Sequence, residues 1–154
     1  MAAAAGGGLM TAGTTFEVWP QVDPAAPSNP LTGDLTRARA ALVEAELAET
    51  PAERYLKAQL AALRVAALIL ATRAHAARGG RLRNAWQVVV DVAPEYAEWA
   101  AYFAATQVKR QAVQAGTPGL LTAREADDLV RDAQAFFDDV VRRLGRLQRG
   151  RGVG

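Results

Sequence analysis

The chain has 154 residues, 51% of them apolar, and a formal net charge of +2. That length supports one domain around one core. It has no Cys and a single His, His75, which excludes disulfides, thiolate metal sites and any metal site or Ser-His-Asp triad that needs a second histidine.

Much of the apolar content is alanine, so the core must come from slender helices packed closely. Ala, Leu, Arg and Glu dominate and strand formers are scarce, which predicts an all-α protein. Residues 1–30 are rich in Ala, Gly, Pro and Thr and bury too little apolar surface to offset ordering entropy, so a disordered N-terminal tail is expected there. Phe16 and Trp19 stand out within it as residues that dock loosely or form a short interaction motif. The N-terminus lacks the basic and long apolar regions of a signal peptide. The longest apolar stretch, Leu60 to Ala71, is interrupted by Arg64 and too short to span a bilayer. A soluble, cytoplasmic chain with no membrane partner is expected.

A first helix is expected from about Leu35 to Glu49, capped by Asp34, with Leu35, Ala38, Leu42 and Ala45 on one face. A second starts at Thr50, with Pro51 at its first position and Glu53 completing a capping box. Its apolar stripe reads Leu56, Leu60, Leu63, Ala67 and Leu70, and it ends near Arg78, before Gly79 and Gly80. A short third helix opens at Asn84 and carries Trp86, Val89 and Val90. Pro94 breaks it and opens a fourth, which runs to about Ala115. That helix has Tyr96, Trp99, Phe103 and Thr106 on one face and Ala97, Ala101, Ala104 and Val108 on the other. Two apolar faces mark it as the central helix. The last helix starts at a second capping box, Thr122 and Glu125, and buries Ala126, Leu129, Ala133, Phe137, Val140 and Leu144. Its outer face offers the pairs Asp127–Arg131, Asp138–Arg142 and Asp139–Arg143. Residues 31–145 thus form an up-and-down bundle of four long helices and a short one, followed by a flexible basic tail, 146–154.

Charge is unevenly spread. Seven basic residues and no acid lie between Arg54 and Arg83, a local basic stripe suited to an anionic partner or an acidic protein face. His75 falls eighteen residues after Lys57, on the solvated line of the second helix, where an ordinary surface histidine is the favoured reading over a general base. Glu125, Asp127, Asp128 and Asp132 could hold a divalent cation, but helix-terminal acids that pair with nearby Arg explain them better. Arg73, Arg78, Arg81 and Arg83 surround the Gly-Gly turn and suit phosphate, yet a solvated loop is the favoured reading and no glycine-rich phosphate loop is present. Trp86, Tyr96, Trp99, Tyr102 and Phe103 read as core aromatics at helical spacing. Tyr102 is placed nearest the surface, as the candidate for a dimer or partner face.

The segments TPAERYLKAQLAALRVAALILATRA, RNAW, VAPEYAEWAAYFAA and TAREADDLVRDAQAFF, in this order, resemble the HEPN domain family, in its SAV-type branch from high-GC bacteria. The resemblance spans about Leu35 to Leu144. It implies a compact helical bundle, often dimeric, and either a metal-independent RNase or a non-catalytic domain that partners a nucleotidyltransferase or binds nucleotides or RNA. Catalytic members carry an Arg followed after four to six residues by a His, so that His moves a proton and Arg holds phosphate charge. Upstream of His75 the matching positions hold Leu70, Ile69 and Leu68. In the branch resembled, the pair would fall on Arg54 and position 59, where this chain has Gln59.

The reading favoured by these residues is a non-catalytic module that needs no cofactor or metal. It is expected to be a homodimer that binds RNA, a nucleotide or a protein such as a nucleotidyltransferase. The contact residues expected are Arg54, Lys57, Gln59 and Arg64 along the second helix, with Arg81 and Arg83 at its exit. The alternatives are a dimeric metal-independent endoribonuclease with Arg54 on phosphate, and a purely structural helical adaptor.

Overall fold

The computed structural model describes residues 30–73, 84–116 and 121–152. Those residues form α1 (Pro30–Leu47), α2 (Pro51–Thr72), the short α3 (Ala85–Val92), a 3₁₀ turn (Pro94–Tyr96), α4 (Ala97–Gln114) and α5 (Ala123–Arg151), with no strand among them. The all-α expectation holds, as do the starts of the inner helices. Thr50 Oγ1 accepts from Glu53 N at 3.1 Å and Asn84 Oδ1 from Gln87 N at 3.0 Å. Thr122 and Glu125 form a complete capping box, each accepting the other's backbone N–H at 3.0 Å. At Thr50 the box is only half made, because the Glu53 carboxylate meets the Thr50 hydroxyl and not its backbone N–H.

Side-chain contacts give the directions of the helices. Tyr55 and Gln59 of α2 reach Thr106 of α4, while Arg73 at the far end of α2 reaches Glu95 just before α4. These two helices are therefore antiparallel. Lys109–Glu125, Tyr102–Asp132 and Trp99–Asp139 set α4 antiparallel to α5. The three-residue link between α1 and α2 turns the chain back at once. The result is an up-and-down bundle in which consecutive long helices alternate.

The buried face of α2 departs from the expected leucine stripe. Tyr55, Ala58, Gln59, Ala61, Ala62, Val65, Ala66, Leu68 and Ile69 are buried, while Leu60 is 44% exposed and Ala67 lies at the surface. Leu56, Leu63 and Leu70 sit half-buried on the flank. The physical reason is that α2 packs against every other helix of the bundle. Small residues let α1, with Ala38, Ala41 and Ala45, approach closely where leucines would hold it off. By length and composition α2 could also cross a membrane, but half of its most apolar stretch is buried in the bundle.

The central helix is thus α2 and not α4. Within α4 only Ala100 and Phe103 are buried, and the alanine side is open, with Ala101 and Ala105 exposed and Val108 72% exposed. The aromatics of α3, the 3₁₀ turn and α4 instead form a slab with α5. Phe103 lies 5.4 Å from Trp86, 6.0 Å from Trp99 and 5.3 Å from Phe136, and Tyr96 meets Phe136 edge-on. Such ring pairs contribute about 0.5–1.5 kcal/mol each beyond their buried area.

The remaining departures lie at the chain ends of the bundle. α1 begins about a turn earlier than expected, so Asp34 is not a cap but lies inside the helix, paired with Arg37. α5 continues through Gly145 to Arg151 where a frayed tail is expected. These two extensions meet, since Leu31 and Thr32 line one small cavity with Gly145 and Gln148. On the outer face of α5 only Asp139–Arg143 forms as expected. Asp127 pairs with Arg54, Arg131 with Asp128, and Arg142 with Asp139, while Asp138 accepts from Gln134. The expected end of the second helix near Arg78 lies outside the described residues.

Ala62→Leu should overpack the buried face of α2 and cost about 1–3 kcal/mol in urea unfolding, whereas Leu60→Ala should cost less than about 1 kcal/mol because that side chain is 44% exposed. The reverse order of stabilities would return the buried face to the leucine stripe.

Candidate functional site

The expected contact residues that lie among the described ones, Arg54, Lys57, Gln59 and Arg64, do not form one surface. Arg54 is committed to the fold: Nη1 donates to the backbone carbonyls of Glu46 at 2.9 Å and Ala48 at 3.1 Å, and Nε donates to Asp127 at 2.9 Å. One guanidinium thereby closes the C-terminus of α1 and ties α2 to α5. Gln59, five residues later, is fully buried and points elsewhere. Its Nε2 donates to Thr106 Oγ1 and, at 3.5 Å, to the Phe103 carbonyl of α4. Gln59 Oε1 and Trp86 Nε1 are buried with no hydrogen-bond partner among the described residues. Arg54 and position 59 therefore do not converge on a common point. Lys57 is half-buried and Arg64 exposed, without an ion pair among the described residues. Arg81, Arg83, Arg78 and His75 lie outside the described residues.

The four acids considered as cation ligands are each tied to something else. Glu125 pairs with Lys109, Asp127 with Arg54 and Asp128 with Arg131, and Asp132 accepts from Tyr102. Among the described residues no group of three acids or histidines is placed to hold a metal ion.

Two adjoining clefts are better candidates. The first, about 320 Å³, is lined by Arg73, Glu95, Tyr96, Arg143, Arg146 and Leu147. Arg73 ends α2 and donates to the Val92 carbonyl at 2.5 Å and to Glu95 at 2.7 Å. Arg143 lies over the Tyr96 ring at 5.3 Å, and Arg146 is exposed. Three guanidinium groups thus face one carboxylate at the point where the chain enters its arginine-rich turn. Burial works against the ionised form of Glu95, but the Arg73 hydrogen bond and charge outweigh it and hold the carboxyl below the usual range.

The second cleft, about 640 Å³, lies between α4 and α5 and shares Glu95 and Arg143 with the first. The backbones of α4 and α5 stand apart here and are joined by long side chains. Trp99 Nε1 donates to Asp139 at 3.1 Å, and the Tyr102 hydroxyl donates to Asp132 at 2.5 Å. Burial, then the hydrogen bond to Asp132, pushes the Tyr102 hydroxyl far above its ordinary value, so it stays a donor at all physiological pH. Burial likewise opposes ionisation of Asp139, but Trp99 and Arg143 overcome it and keep its carboxyl below the ordinary aspartate value. Glu98, on the rim, is exposed.

The sequence placed Tyr102 correctly as the most open aromatic, now 40% exposed. It gave no reason to group Glu95, Glu98, Arg143 and Arg146. The one signal was the i, i+3, i+4 spacing of Asp139, Arg142 and Arg143, which reads as an ordinary helix-surface ion pair.

The depressed Asp139 pKa gives a pH test. A carboxyl whose folded-state pKa lies below its unfolded value of 3.8 stabilises the fold fully above that value, and the contribution is lost as pH falls through the folded pKa. Asp139→Asn should therefore lower Tm most near neutral pH, and the difference from the parent chain should shrink below pH 3.8. An equal Tm difference at every pH would show that Asp139 acts by shape and not by charge.

Comparison with known proteins places this geometry. The SAV_6107-like HEPN family model matches residues 45–141, which run from the end of α1 through most of α5. No match was found among curated proteins or among solved structures. The match covers well over half of the chain and includes α2, α3 and α4 whole, most of α5 and only the last turn of α1, so the chain belongs to the HEPN domain family, in its SAV_6107-like branch.

Proposed function

We propose that this HEPN domain is a non-catalytic binding module whose anionic partner, RNA, is held at the Arg73–Arg143–Arg146 cleft. The observation that carries the reading is the convergence of these three guanidinium groups from two helices. It lies where the sequence continues from Arg73 directly into Arg78, Arg81 and Arg83. Guanidinium forks suit phosphate oxygens. The basic partner surface expected along α2 is thereby moved to the end of that helix.

The competing reading, an endoribonuclease with Arg54 on phosphate, is disfavoured by the contacts of that residue. Arg54 commits Nε and Nη1 to a carboxylate and two carbonyls, and Gln59 has no proton to exchange near neutral pH. A homodimer fits the bundle through the open face of α4, where Ala101, Ala105 and Val108 form an exposed apolar line that lets a second helix approach. A protein partner such as a nucleotidyltransferase would use a similar surface. The purely structural adaptor is the reading left if no RNA binds.

Fluorescence anisotropy with a single-stranded RNA should show affinity that falls with salt, with a log–log slope of about −2 for three phosphate contacts. Arg146→Glu should weaken binding about tenfold or more. Arg54→Ala should leave RNA affinity unchanged while lowering stability by about 1–3 kcal/mol through its lost hydrogen bonds. Unchanged affinity in Arg146→Glu would remove the proposed site, and RNA cleavage in chelator that disappears in Arg54→Ala would establish the endoribonuclease.

A further inference from the structure

The cleft between α4 and α5 has the opposite character to the arginine cleft beside it. Four carboxylates, those of Glu95, Glu98, Asp132 and Asp139, face one guanidinium, and the walls include Trp99 and Tyr102. We propose that this cleft takes an arginine side chain from a partner polypeptide. The proposal is independent of RNA binding at the neighbouring cleft.

The walls are already fixed. Trp99 and Tyr102 are held by hydrogen bonds from their polar ends to Asp139 and Asp132, and Trp99 is backed by Phe103 and Phe136 at 6.0 and 5.3 Å. Donation from an indole N–H or a phenol O–H to a carboxylate enriches the ring in electrons, which strengthens its attraction for a cation. The rings therefore do not need to be ordered when a guest arrives.

The carboxylates are not all spent. Asp139 and Glu95 are paired with Arg143 and Arg73. Glu98 has no ion pair among the described residues, and Asp132 uses Oδ2 for Tyr102, leaving its other oxygen to accept. A planar guanidinium can stack on a ring and donate in-plane to both acids, whereas an ammonium cannot do the two together. A phosphate would meet these same carboxylates and be repelled.

A finished example of this contact lies where the two clefts adjoin. There Arg143 lies over the Tyr96 ring at 5.3 Å while its Nε donates to Asp139 at 3.2 Å. A guest arginine beside Trp99 and Tyr102, with Glu98 and Asp132 as acceptors, repeats the arrangement further along the groove. The volume of about 640 Å³ is ample for one such side chain and its flanking backbone.

The test follows the Trp99 indole N–H resonance of the full chain during titration with acetyl-Gly-Arg-Gly-amide and with the same peptide carrying lysine or citrulline. A saturable shift is expected for the arginine peptide, with a Kd near the millimolar range, and binding about tenfold weaker for citrulline, the neutral isostere. Glu98→Gln, an exposed position, should weaken the arginine peptide several-fold with unchanged circular dichroism and Tm. Arg146→Glu should not weaken it. The proposal is overturned if Trp99 does not respond, if citrulline binds as well as arginine, if Glu98→Gln has no effect, or if RNA moves Trp99 and the peptide does not.

Discussion

The buried face of α2 is the constraint on which the rest of this bundle depends. A helix in contact with every other long helix cannot present bulky side chains all round, because its neighbours would be pushed apart and leave voids between them. Ala58, Ala61, Ala62 and Ala66 solve this by letting the neighbouring helices approach, and much of the core's bulk is supplied instead by the aromatic slab of Trp86, Tyr96, Trp99, Phe103 and Phe136. Small residues in one half of the core thus require large ones in the other. Of the leucines of α2 only Leu68 is fully buried, while Leu56, Leu63 and Leu70 are half covered on the flank.

The same constraint decides what the charged residues do. With α1 drawn close to α2, Arg54 reaches the unpaired carbonyls at the end of α1 and the Asp127 carboxylate at once. With α4 held off α5 by ring-sized side chains, a cleft opens between them and is bridged by the polar contacts Trp99–Asp139, Tyr102–Asp132 and Lys109–Glu125. Packing at the centre therefore creates both the consumed arginine and the open groove.

Local features were legible in the sequence. The caps at Thr50, Asn84 and Thr122 were legible because each depends on residues three apart. So were the all-α class, the break at Pro94 and most of the buried residues of α5, though Val130 and Phe136 are buried as well and Leu144 is only partly covered. Which face of α2 is inside was not, because alanine and leucine stripes of similar period lie side by side on that helix, and only its neighbours choose between them. The start of α1 and the end of α5 were missed for a similar reason: Leu31 extends α1 by packing near Leu144, 113 positions along the chain. The roles of Asp127, Asp132 and Arg143 were hidden because their partners, Arg54, Tyr102 and Tyr96, come from other helices. Intrahelical charge spacing predicted nearer partners.

The account places Gln59 in the core, as an amide tether between α2 and α4, and places Arg54 in the fold, as a clamp. The two side chains do not meet at one point. The most direct measurement is RNA cleavage in chelator by Gln59→His, which completes the Arg-x4-His spacing, with thermal unfolding measured on the same protein. Loss of stability and no gain in cleavage is the predicted result. Cleavage that appears in Gln59→His and vanishes again on adding Arg54→Ala would contradict the account.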